Sequence, residues 1–249
     1  MFILENCDFT INKFIRLCEA ISSNYLTITM VEYVDIKLPN SFILMRHDVD
    51  RIPERALVTA KIEHEYGIRS TYYFRTSKSV CKPNIIRQIK NMGHEIGYHY
   101  ETLNEAYGDP QKAIDLFQSH LDDLRNICEI NTICRHGRPL SKYDSLELWK
   151  TYDFRDFGIT SEAYLSIGAN IFFFSDTDTK GIWDLSDNFG NLRDHIHGQN
   201  KLLITETTDD LIDLIESRRL NNLYILLHPE KWSSGSVKWD LRYLGDVAK

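Results

Sequence analysis

The chain has 249 residues, 43% of them hydrophobic and 12% aromatic, which is enough to bury one sizeable core. Its formal charge of −7 and its lack of any Lys/Arg cluster exclude the electrostatic footprint of a nucleic-acid or anionic-membrane binder. The start, MFILENCDFTINKF, does not read as a signal peptide, no apolar run is long enough to span a bilayer, and Cys7, Cys18, Cys81, Cys128 and Cys134 form no C-x-x-C pair. A cytosolic protein with reduced, mostly buried thiols is expected.

In chain order, the first predicted element is an N-capped helix over about 8–22, with Phe9, Phe14, Ile15, Cys18 and Ile21 on one side. Strand-like SFILMR (41–46) leads to the helix pattern PERALVTAKIEHEYG (53–67), and RSTYYF (69–74) leads to PNIIRQIKNMG (83–93). HEIGYH (94–99) is followed by the helix DPQKAIDLFQSHLDDLRNI (109–127), then by the strands NTICR (131–135), NIFFFS (170–175) and KLLIT (201–205). The helix TTDDLIDLIESRR (207–219) and the strand LYILLH (223–228) complete the series. Alternation of this kind predicts a single α/β domain built on about seven mainly parallel strands, and periodicity leaves open whether the sheet closes into a barrel. No repeat or linker divides the chain.

In such folds the functional groups gather at the C-terminal ends of the strands. Asp48 and Asp50 follow the first apolar run, and His99, His136, Asp176 and His228 each follow another. Residues two apart in an extended segment point the same way, so Asp48 and Asp50 can share one site while Val49 packs away. The repulsion between such a pair is relieved if a divalent cation binds one carboxylate and the other serves as a base. An acidic surface turn, or Asp48 as a cap for the helix near Pro53, is the plainer reading of the pair alone. His64, His94, His120, His195 and His197 read as satisfied or solvated histidines, and His47 should point away from Asp48.

MRHDVD, EYGIRSTYYF, IKNMGHEIGYHYE and LYILLHPEKW resemble, in order and spacing, the polysaccharide deacetylase (NodB-type) family over about 42–232. The resemblance implies a distorted (β/α) barrel of about seven strands. It also implies metal-dependent removal of an N-acyl group, usually acetyl, from a sugar. It assigns Asp48 as catalytic base, Asp50 and His99 as metal ligands, and His228 as general acid. Asp176, or Asp178 in its place, would orient His228, and Arg135 or Arg138 would position the base. Glu101, Arg138 and Trp232 are the expected substrate contacts.

One position departs from the family pattern. The second metal histidine, four residues after the first, is replaced here by Leu103. The third ligand is then His136, placed first because it directly follows a strand, or Glu101 or His47; otherwise the metal is held by Asp50, His99 and water, or is absent. One divalent ion is expected, zinc first, with manganese, cobalt or nickel also compatible. The expected substrate is a small nucleotide- or lipid-linked sugar of surface-polysaccharide synthesis. A degenerate sugar-binding module, and a metal-dependent glycosyltransferase using Asp48-Val49-Asp50, are the alternatives.

Overall fold

The computed structural model describes residues 8–35, 37–138, 141–168, 171–177, 183 and 205–233. Helix α1 (Ile11–Asn24) starts where the Thr10 hydroxyl accepts a hydrogen bond from the Lys13 amide, and it buries Phe14, Leu17, Cys18, Ala20 and Ile21. There follow β1 (Leu26–Ile28), α2 (Met30–Asp35), β2 (Phe42–Val49), α3 (Pro53–Glu65), β3 (Thr71–Phe74), α4 (Pro83–Asn91) and β4 (Glu95–Tyr100). Next come α5 (Thr102–Glu105), α6 (Pro110–Arg125), β5 (Thr132–Arg135), β6 (Ser161–Glu162), β7 (Phe172–Ser175), α7 (Thr208–Glu216) and β8 (Asn222–Leu227). Proline opens α3, α4 and α6, where its missing N–H costs nothing. A reciprocal Thr207–Asp210 capping box opens α7.

Among the described residues all strand pairs are parallel, in the order β6-β5-β4-β3-β2-β8-β7. β8 lines one edge of β2, while β1 and then β3 line the other. The predicted α/β architecture is present. β1 and β6 were not predicted, being only 3 and 2 residues long. KLLIT lies outside the described residues except for Thr205.

Every residue of β2 is buried, as a strand covered on both faces requires. Ile43 and Met45 pack outward with α1, α7 and the outer side of β8, in a cluster that includes Phe14, Ile21, Leu211, Ile215, Leu223 and Ile225. A second outer cluster joins β3 and β4 to α3, α4 and α6 through Tyr72, Phe74, Ile96, Tyr98, Ala60, Ile86 and Phe117. On the inner face, Phe42 and Leu44 pack with Ile28, Phe173, Tyr224 and Leu226. Above that apolar floor the inner face turns polar, with Arg46 and then Asp48. Arg46 donates to the Tyr164 hydroxyl (2.6 Å) and the Tyr224 hydroxyl (3.2 Å), and Tyr224 donates to the Ala163 carbonyl (3.3 Å). These contacts cross the interior from β2 and β8 to the turn after β6, so the sheet is curled into an incomplete (β/α) barrel. No helix among the described residues is long and apolar enough to cross a membrane.

Candidate active site

The period-two alternation of β2 answers why two aspartates stand at its end. Phe42, Leu44, Arg46 and Asp48 face inward, and Asp50 follows at the strand mouth. His47 faces the other way: its ring stacks on Tyr72 at 4.2 Å and its Nε2 lies 2.6 Å from Glu63 Oε1 on α3. His47 is therefore excluded as a ligand by direction. Leu103 is buried in α5 against Ala106, Ala113 and Leu148, so an imidazole there would enter a small apolar core.

His136, just past β5, comes to the place that an additional ligand would need. Asp50 Oδ1 lies 3.3 Å from His99 Nε2 and 3.4 Å from His136 Nε2. Asp50 Oδ1 is buried yet has no well-formed hydrogen bond, although two ring nitrogens face it. Donor atoms on a tetrahedral ion with bonds of about 2.0–2.2 Å lie about 3.3–3.6 Å apart, so this trio fits a divalent ion. The imidazoles are also oriented for it. His99 Nδ1 is 3.0 Å from the Cys134 carbonyl, which can only accept, so Nδ1 carries a proton there and Nε2 is the nitrogen turned toward the site. His136 Nδ1 is 3.0 Å from Glu101 Oε2, and the His136 amide donates to the Tyr100 carbonyl. Burial works against charge on Asp50, yet the two imidazoles hold its carboxyl well below the usual range. Burial likewise opposes the His136 proton, but Asp50 and Glu101 raise its pKa to about 9.

Asp48 lies beside this trio, with Oδ2 3.5 Å from His99 Nε2. Arg46 clamps both of its oxygens, Nε to Oδ1 at 2.7 Å and Nη2 to Oδ2 at 2.6 Å. The guanidinium sits 4.4 Å from the Tyr164 ring centroid and is 1% exposed. Burial pushes the Asp48 pKa up, but Arg46 and His99 outweigh it and leave the pKa lowered.

β8 pairs with β2 with Leu227 opposite His47, so the next residue, His228, reaches the same mouth as Asp48. Asp176, after β7, is fully buried; it accepts from His228 Nδ1 at 2.6 Å and from the His228 amide at 2.8 Å. The Lys231 ammonium donates to the Asp176 carbonyl. Burial would lower the His228 pKa, but the Asp176 charge and hydrogen bond raise it to about 9.

Three expected contacts stand elsewhere. Trp232 has no exposed surface; it packs with Phe9, Phe14 and Trp183 and donates from Nε1 to Asp176 Oδ2 at 3.2 Å, so it buttresses the Asp176–His228 pair instead of meeting substrate. Glu101 is 5% exposed, with its oxygens taken by Arg75 Nε (2.9 Å), His136 and Arg138 (2.6 Å), so it stands behind His136 and not on the pocket wall. That pairing holds the Glu101 pKa at about 2 despite burial. Arg135 lies over the Tyr164 ring at 4.9 Å and 3.6 Å from Asp144, and the guanidinium on Asp48 belongs to Arg46. Arg138 is half-exposed at the rim, and Asp178 lies outside the described residues. Arg46 was legible in principle: it lies two residues before Asp48 on the same strand and so must share its face.

No family model and no curated protein matches this sequence. Among solved structures, a CE4 family pseudoenzyme from Bacillus anthracis is similar over 84% of this chain and 61% of its own, at 12% identity and a TM-score of 0.47. A CE4 esterase from Streptococcus mutans is similar over 91% and 90% of the two chains, at 12% identity and a TM-score of 0.49. A family 4 carbohydrate esterase from Streptomyces lividans, solved with acetate, is similar over 85% and 90%, at 14% identity and a TM-score of 0.45. These three solved structures, at 12–14% identity, are all CE4, or family 4 carbohydrate esterase, proteins.

Proposed function

We propose that this protein is a metal-dependent hydrolase that removes an N-acyl group, acetyl first, from a sugar. One observation carries the reading: a carboxylate held ionised and an imidazole held protonated share a strand-end mouth with a trio of donors spaced for one divalent ion. A binding pocket has no use for such a matched base and acid.

Asp50, His99 and His136 would hold the ion, zinc first given two imidazoles and a carboxylate, and a bound ion supplies Lewis acidity toward the acyl carbonyl and lowers the pKa of a nearby water. Asp48 accepts a proton from the attacking water, and Arg46 fixes both carboxylate oxygens so that the base meets the water in one orientation. His228, its Nδ1 held by Asp176, presents protonated Nε2 and delivers that proton to the departing nitrogen as the C–N bond breaks. An amine leaves only when protonated, so His228 decides whether the tetrahedral species goes forward.

The free Cys18, Cys81, Cys128 and Cys134 fit a reducing compartment, which favours a cytosolic nucleotide- or lipid-linked sugar over an extracellular polymer. The test joins elemental analysis to amine release from N-acetylated nucleotide sugars. About one ion per chain, lost in Asp50→Asn, is expected, and Asp48→Asn should keep the metal while slowing turnover by about 10²–10⁴-fold. Absence of metal after incubation with zinc, cobalt or manganese would overturn the hydrolase and leave a sugar-binding module. Sugar transfer to an acceptor without acyl release would instead indicate a transferase.

A further inference from the structure

The proposed mechanism leaves Cys134 unused. It lies on β5, fully buried, in an inner cluster with Tyr73, Leu146, Ala163 and Tyr164. Its Sγ is 4.0 Å from Asp48 Oδ1 and 3.5 Å from the Arg135 carbonyl. His99 Nε2 is 3.5 Å from the other oxygen of Asp48. One donor atom from each of Asp48, His99 and Cys134 lies within 4.8 Å of the other two. Donor atoms around a four-coordinate ion with one bond of about 2.3 Å to sulfur are spaced by about 3.3–3.7 Å; the His99–Asp48 pair already has that spacing, and the sulfur has to close in from 4.0 Å to reach it.

We propose that Asp48, His99 and Cys134 form a second metal position, selective for thiophilic ions such as cadmium and inhibitory when filled. The selectivity follows from the donors: a thiolate favours soft ions, whereas the imidazole and carboxylate donors of Asp50, His99 and His136 suit zinc and its harder neighbours. On binding, the Cys134 thiol gives its proton to solvent and the sulfur bonds the ion, with no change of oxidation state. Asp48 takes part without leaving Arg46, because each carboxylate oxygen has a second lone pair. His99 Nδ1 is committed to the Cys134 carbonyl, so Nε2 is the one nitrogen that either position can use. The two positions therefore exclude one another, and a soft ion removes both a base and a ligand from the reaction. The exclusion and the inhibition rest on the hydrolase reading; the soft-ion position itself does not.

The test is titration of the purified protein, stripped of bound metal by chelation, with cadmium chloride, followed by thiolate-to-cadmium charge-transfer absorption in the ultraviolet. Wild type and Asp50→Asn should both develop the band at about one cadmium per chain. Cys134→Ser, and Cys134→Ala as a second variant should the first not fold, should lose it or bind at least about tenfold more weakly, with Cys18, Cys81 and Cys128 still present. A band equal in wild type and both Cys134 variants would assign the absorption to the other thiols and overturn the proposal. So would a band lost in Asp50→Asn. Loss of the native metal in Asp50→Asn with the cadmium band retained would show the two positions to be separate. A cadmium band in a protein that binds no zinc, cobalt or manganese would support the soft-ion position while removing the hydrolase.

Discussion

At the scale of single residues, each proposed reacting group is hydrogen-bonded to a charged partner. Asp48 has Arg46, and His228 has Asp176. To donate a proton, His228 must carry one, so kcat/KM should fall on the alkaline side as pH passes its raised pKa of about 9. Asp176→Asn removes the charge that raises it, and the alkaline limb should move down toward the ordinary imidazole value of about 6.5; a pH–rate profile measures the move. Arg46→Met strips a buried carboxylate of its guanidinium, which costs up to about 3–5 kcal/mol and should show as a lower urea midpoint. The same substitution raises the Asp48 pKa, so the acid limb of the profile should shift to higher pH. The meeting of Asp48, Asp50, His99, His136, Asp176 and His228 at one strand-end mouth was legible because each is a polar residue at the end of an apolar run. Glu101 and Trp232 were misplaced because sequence gives position along a strand but not which neighbours have already taken a side chain's hydrogen bonds.

At the scale of elements, the strands decide which residues meet. His99 and His136 belong to adjacent strand ends, with His99 opposite Cys134 in the β4–β5 register. The ladder therefore places His136 beside its neighbour without any sequence spacing to announce it. Long strands and proline-opened helices were readable from periodicity and capping. β1 and β6 were not, because 3 or 2 residues carry no period. The inner faces must also fit one another. A Cβ on Gly97 of β4 would lie 2.3 Å from the Tyr73 ring and 3.0 Å from the Thr132 carbonyl, one a side chain with no exposed surface and the other backbone. Gly97→Ala should destabilise the fold by about 1–3 kcal/mol, read by denaturant unfolding. Tyr73 also flanks Arg46, at 5.8 Å, so activity should fall with stability.

At the scale of the whole molecule, buried charges set how stability depends on pH. Burial opposes the Glu63 charge, but His47 lies against it and its pKa is lowered. A depressed carboxylate contributes stability above its unfolded value of about 4.3 and loses it as pH falls through the folded value. His228 is raised, so its contribution is complete below about 6.5 and disappears as pH climbs to about 9. In metal-free protein, the difference in urea midpoint between wild type and Glu63→Gln should shrink below about pH 4.3. The difference against His228→Gln should shrink instead as pH approaches 9. Opposite trends would show that the network is arranged otherwise.

β2 assigns its odd and even residues to opposite sides of the sheet: Ile43, Met45, His47 and Val49 outward, Phe42, Leu44, Arg46 and Asp48 inward. Between Phe42 and Val49 a change of one apolar side chain is a local event, whereas a change in length by one residue is not. It would turn Asp48 toward the helices and His47 toward the strand-end mouth, disrupting the core and the proposed chemistry together. The spacing from Phe42 to Asp50 is thus a stricter requirement of this fold than the identity of any one apolar side chain along it.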